Sequence, residues 1–145
     1  LLAPNAKIIL VSSNNTKGAA CTALLAAPYI DNIDELLIFN CNELLDIDIV
    51  NVVSDFRARK LDAGVVTFRS IHPRYSFVRL NDSDFVVEAA EKNPISRFAT
   101  AGFYWFSHGK NFVSSVKNIL QYINKLSSFW MVTPTLVKSN RRKLI

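Results

Sequence analysis

The chain predicts an α/β fold: a mostly parallel open sheet that gains an antiparallel portion, flanked by helices. Two observations carry this. Over residues 7–68, short apolar runs rich in β-branched residues alternate with stretches of helical periodicity, the signature of crossover connections. After residue 74 the alternation stops, and two short strands face each other across the turn Asn81-Asp82-Ser83-Asp84.

Taken in order, residues 7–12 (KIILVS) form a continuous apolar run of the kind expected for a strand buried on both faces. Residues 13–16 (SNNT) supply turn and cap chemistry, and residues 17–30, rich in Ala and Leu, predict a helix. Residues 35–40 (ELLIFN) predict a second strand. Residues 48–61 set Ile49, Val52, Val53 and Phe56 on one helical stripe. Residues 63–68 (AGVVTF) predict a third strand; residues 75–80 and 85–90 form the hairpin, and residues 98–107 add one more strand. Residues 109–126 hold the clearest amphipathic helix, with Phe112, Val116, Ile119, Leu120 and Ile123 aligned as a core stripe.

The 145 residues suffice for one domain with a real core, and half of them are apolar. No apolar run approaches the roughly 20 residues that span a bilayer. Cys21 and Cys41 lack metal-ligand spacing, and reduced thiols in a cytoplasmic protein are the expectation. Of the net charge of +5, four units sit in the tail Lys138-Ser139-Asn140-Arg141-Arg142-Lys143, so the basic balance describes a tail and not a nucleic-acid-binding face. The division expected is a domain over residues 1–137 and a basic tail over residues 138–145.

Several segments could carry chemistry. Glu91-Lys92-Asn93-Pro94 sets a carboxylate beside an ammonium at a strand end, suiting a ligand with both hydroxyls and phosphate. It is followed by Gly102-Phe103-Tyr104. Upstream, Thr16-Lys17-Gly18-Ala19 marks a loop becoming a helix, where free N–H groups favour an anion or a base edge. Residues 36–43 (LLIFNCNE) end a strand where open α/β sheets place ligands. His72-Pro73-Arg74-Tyr75-Ser76 forms a loop in which the histidine reads as a turn residue. No Ser-His-Asp, zinc or Walker pattern can be assembled.

In this order along the chain, these segments resemble the sugar-1-phosphate nucleotidyltransferases, the pyrophosphorylases that make nucleotide sugars. The resemblance runs from about Lys7 to Pro134 and implies a Rossmann-like, GT-A-like mixed sheet. It implies Gly18 and Ala19 at the nucleotide base, and Ser76, Glu91, Lys92, Gly102 and Tyr104 around the sugar phosphate. Lys92 would be the catalytic charge, with Asn42 at the position where the family holds Mg²⁺ with an Asp. Trp130-Met131-Val132-Thr133-Pro134 is similar to a segment that precedes a second metal position, filled here by Val137. The Gly-rich triphosphate loop is expected earlier than Leu1, which makes the domain incomplete at its N-terminus and its sheet edge open to an oligomer or a preceding segment.

The implied reaction joins an NTP and a sugar 1-phosphate, or a similar phosphorylated small molecule, and releases pyrophosphate; this chain alone is expected not to turn over. Two alternatives stand beside it. One is a non-catalytic domain that binds nucleotide or sugar phosphate. The other is a GT-A glycosyltransferase, for which Asp46-Ile47-Asp48 supplies the acidic string.

Overall fold

The computed structural model describes residues 4–12 and 18–127. Elements follow in the order α1 (Ala19–Leu24), α2 (Ala27–Ile30), β1 (Leu36–Phe39), α3 (Ile49–Ala58), β2 (Ala63–Arg69), β3 (Phe77–Leu80), β4 (Val86–Ala90), β5 (Phe98–Phe106) and α4 (Gly109–Ser127). All five strands share one sheet, and β5 is its hub, pairing β1, β2 and β3, while β4 pairs β3.

Every ladder is antiparallel, which corrects the mostly parallel expectation. β1 and β2 do point the same way, as a strand-helix-strand unit requires. β5, from 30 residues further on, lies between them: Leu36 and Ala63 both pair with Phe106. Local periodicity reports which segments are strands and which are helices, but not which strand will be inserted between two others.

Two further expectations change. Residues 7–12 join no ladder, and Ile8 and Leu10 are 84% and 91% exposed. An apolar run becomes a buried strand only where an edge in register accepts it. Here Lys7 tethers the segment, its Nζ 4.1 Å from the Tyr29 ring centroid. The single helix expected over residues 17–30 is two short ones. Pro28, which lacks an N–H and would clash with a carbonyl one turn earlier, sits in the first turn of α2 instead of continuing α1.

The other elements match their local cues. Asp48 caps α3, its Oδ1 accepting from the Asn51 N–H at 3.1 Å. Asn81 closes the hairpin, its Oδ1 accepting from the Ser83 and Phe85 N–H groups.

Helices cover both faces of the sheet. On one, Val53 and Phe56 of α3 pack with Leu61, Phe103 and Trp105. On the other, Phe112, Val113 and Val116 of α4 pack with Leu36, Ile38, Phe106 and residues of α1 and α2. Beyond α4, α1 and α2, no other helix among the described residues extends the cover of this second face.

One surface pair gives a pH signature. Arg57 Nε and Nη2 reach the two oxygens of Glu35 at 2.7 and 2.5 Å. The hydrogen bond from Arg57 holds the Glu35 carboxyl below its ordinary value of 4.5. A carboxyl lowered on folding adds stability above its unfolded pKa, and that stability is lost as pH falls through the lower folded value. Both side chains are over a third exposed, so the contribution is small. Arg57→Gln is expected to flatten the urea-midpoint profile below pH 4.5 and leave its shape near pH 7 unchanged.

Candidate functional site

On the second face, a hollow of about 320 Å³ lies beside α4, between the β3–β4 hairpin and β5. The ladder builds it. Paired residues on antiparallel strands project to the same face, so Val65 with Tyr104 and Val78 with Ala89 line one side of the sheet. Thr100 joins them, its N–H donating to the Ser76 carbonyl at 2.8 Å. Val65, Phe77, Val86 and Phe106 make much of the lining apolar, and the polar atoms come from Ser76, Glu91, Thr100 and Tyr104.

Three of the five residues expected around a sugar phosphate therefore line this hollow: Ser76, Glu91 and Tyr104. Ser76 Oγ donates to Glu91 Oε2 at 2.8 Å, linking the loop before β3 to the end of β4. Tyr104 OH donates to Thr100 Oγ1 at 3.3 Å along β5. Ser96 fixes where β5 begins, its Oγ donating to the Val78 carbonyl at 2.5 Å and accepting from the Phe98 N–H at 2.9 Å.

Lys92 follows Glu91 with φ 51°, in the left-handed region that bulky residues seldom adopt. It is not among the lining residues, and its Nζ lies 3.8 Å from Glu91 Oε1. Both side chains are largely exposed, 68% for Lys92 and 75% for Glu91.

Gly102 also lies outside the lining, at a break in β5. Three residues, Ala101 to Phe103, stand opposite the single Val66 of β2. Gly102 has φ 64°, and an added Cβ would collide with Glu43 Oε2 and Asn40 Nδ2. Asn40 Nδ2 in turn donates to Glu43 Oε1 at 3.2 Å, and the Asn40 N–H donates to the Gly102 carbonyl at 3.0 Å. Gly102 thus shapes the strand that carries Thr100 and Tyr104.

The turn after β1 places Asn42 in solvent, while Glu43 folds back against Gly102. Among the described residues, no three His, Cys, Asp or Glu side chains are grouped to hold a metal ion. Asn42, the position at which the resemblance implies Mg²⁺, offers a neutral amide oxygen. Gly18, with φ 108°, and Ala19 open the six-residue helix α1, apart from the hollow's lining. Of the acidic string, Asp48 is engaged in capping α3 and Ile47 packs into the core, an arrangement that gives a helix entry and not a paired carboxylate site. His72 takes a turn role, its Nδ1 accepting from the Arg74 N–H at 3.2 Å. The segment 130–134, Val137 and the basic tail lie outside the described residues.

Sequence reasoning missed Thr100 as part of the lining and Glu43 as the carboxylate packed on Gly102. Thr100 alternates with Ala99 and Ala101 in the apolar run of β5, but its neighbour Ser76 follows only from the ladder. Asn40 and Glu43 carry an i, i+3 spacing that suggests a side-chain pair, yet their contact with Gly102 depends on pairing across 60 residues.

No family model matches the chain, and no curated protein does either. Solved structures do match. A protein assigned as a glucose-1-phosphate thymidylyltransferase from Bacillus anthracis, solved with sucrose, superposes with a TM-score of 0.61 at 23% identity, over 74% of this chain and 43% of that one. A nucleoside-diphosphate-sugar pyrophosphorylase from Vibrio cholerae RC9 aligns with a TM-score of 0.48 at 18% identity, over 72% and 41%. The chain spans less than half the length of either, and among the described residues no helix is long and apolar enough to cross a membrane. What the superposition shows is a shared fold: the described part of this chain is built like a portion of a thymidylyltransferase-type α/β domain.

Proposed function

We propose that the hollow on the second sheet face binds the sugar of a sugar phosphate, and that the chain serves nucleotidyl transfer from an NTP to that phosphate. The observation that carries this reading is the Ser76–Glu91 hydrogen bond in the wall of the hollow. It joins a hydroxyl and a carboxylate, 15 positions apart in sequence, into one polar edge above an apolar floor. A carboxylate accepts from sugar hydroxyls, Ser76 can donate or accept, and the Thr100–Tyr104 pair offers a second hydroxyl edge. The apolar floor suits the C–H face of a pyranose ring.

In the reaction so read, a phosphate oxygen of the sugar phosphate bonds to the α-phosphorus of the NTP, and the bond from that phosphorus to the bridging oxygen of pyrophosphate breaks. The attacking oxygen is already anionic, so the chain supplies positioning and charge, not proton transfer. Mg²⁺ accompanying the NTP would supply charge stabilisation of the phosphates. Gly18 and Ala19 remain the proposed contacts to the base, since Gly18 leaves open space where a Cβ would stand. A second reading, binding without turnover, is favoured by one observation: the neutral, exposed Asn42 at the position where a metal-holding carboxylate is expected.

Calorimetric titration of glucose 1-phosphate into the full chain and its Glu91→Gln variant tests the site. Glu91 is exposed, so the loss is expected at the low end for a charged hydrogen bond, about 1.5 kcal/mol or roughly tenfold in Kd. Equal affinity of the two proteins would remove Glu91 from the site.

A further inference from the structure

Two cations stand near the hollow without lining it, and they are not equivalent. Lys92, on which the family resemblance places the phosphate, lies 3.8 Å from the Glu91 carboxylate. Arg69 lies beyond the lining, at the end of β2. It pairs with Phe98 in the β2–β5 ladder, and Phe98 pairs with Val78 in the β3–β5 ladder. Paired residues share a face, and Val78 lines the hollow. Arg69 and Phe98 are therefore the next row on the hollow's own face, two residues along β5 from Thr100, or about 6.6 Å by strand rise.

The Arg69 guanidinium stacks over Phe98, its Cζ 5.3 Å from the ring centroid. Among the described residues it has no ion pair with a carboxylate. A guanidinium stacked on a ring keeps its planar fork free along the edge, the geometry that takes a phosphate through two N–H donors. At the other end, Glu91 repels an anion: a pair of like charges 4 Å apart costs about 1 kcal/mol even in water. Hydroxyls belong near Glu91 and an anion belongs away from it.

We propose that Arg69 recognises the phosphate of the ligand whose hydroxyls Ser76 and Glu91 hold, with Lys92 serving as the counter-charge to Glu91. This rests on the reading that the hollow takes a hydroxylated phosphate ester, and it sets the ligand's direction: hydroxyl end toward the β4 terminus, anionic end toward the end of β2.

The test is calorimetric titration of the full chain with glucose 1-phosphate and with glucose, using Arg69→Gln, Arg69→Lys, Lys92→Gln and Glu91→Gln. Arg69 is exposed, so its variants are expected to fold as the parent does. Arg69→Gln is expected to weaken glucose 1-phosphate about tenfold or more and leave glucose unchanged. Arg69→Lys should restore only part of the loss, because the fork is gone. Lys92→Gln should change either ligand by less than about threefold. A tenfold loss for Lys92→Gln, with Arg69→Gln like the parent, would overturn the assignment and leave the hydroxyl site standing. Equal losses of glucose and glucose 1-phosphate in Arg69→Gln would overturn it too. If Glu91→Gln changes nothing, or the parent binds neither ligand, the underlying reading falls and the Arg69 assignment falls with it.

Discussion

Replacing Trp105 by alanine is expected to cost about 3–5 kcal/mol of folding stability, the range for emptying a buried aromatic site. Trp105 is 2% exposed and lies on the α3 face of β5, its ring centroid 5.7 Å from that of Phe56. Around it are Val53, Leu61 and Phe103, so alanine would leave a cavity in a closely packed cluster. Because β5 pairs with β1, β2 and β3 together, loosening its C-terminal half unsettles the sheet and not one edge. Trp105→Phe keeps a ring against Phe56 and is expected to lose much less. Urea unfolding measures both, with the midpoint falling and the slope unchanged. A Trp105→Ala loss below about 1 kcal/mol would mean that the core is not organised around this residue.

Gly102→Ala is expected to cost about 2–3 kcal/mol. Two terms contribute: a left-handed backbone, worth roughly 1–2 kcal/mol for a residue with a Cβ, and overpacking at the low end, about 1 kcal/mol, because the clashing atoms end surface side chains that can move. The overpacking has named partners, Glu43 Oε2 and Asn40 Nδ2, whose side chains close on the space a Cβ would take. Adding Glu43→Ala to Gly102→Ala should recover part of the loss by removing the clash, but not the backbone part. The double-mutant cycle separates the two terms. A Gly102→Ala change within about 0.5 kcal/mol of zero, the range of an ordinary surface substitution, would contradict the break drawn in β5.

The sequence made some elements legible and not others, for physical reasons. α3, α4 and the β3–β4 hairpin were readable to within three residues, because their signals are local: the Asp48 cap, the stripe through Phe112 and Val116, and the Asn81 turn. The sheet order was not. Nothing near β1 or β2 announces that β5 will lie between them, since that pairing joins residues 68 positions apart at Leu37 and Trp105. Residues 7–12 failed in the same way, because apolar composition cannot say whether an edge in register will be offered. Pro28 did carry a local signal against one long helix, and the richness in Ala and Leu outweighed it.

The site divides along the same line. Ser76, Glu91 and Tyr104 were named together through the order of short motifs, and the ladder brings them to one hollow. Lys92 and Gly102 were named with them but lie outside the lining, one facing the Glu91 carboxylate and one shaping β5. Arg69 and Thr100 carry no motif. They become visible only when strand register shows which side chains share a face.

The binding isotherm of glucose 1-phosphate on the unmodified chain, run beside Glu91→Gln, tests the central claim most directly. The account predicts saturable one-to-one binding to the parent that weakens roughly tenfold in the variant. An isotherm showing no binding, or one identical in the two proteins, would contradict it and leave a shared fold without the proposed site.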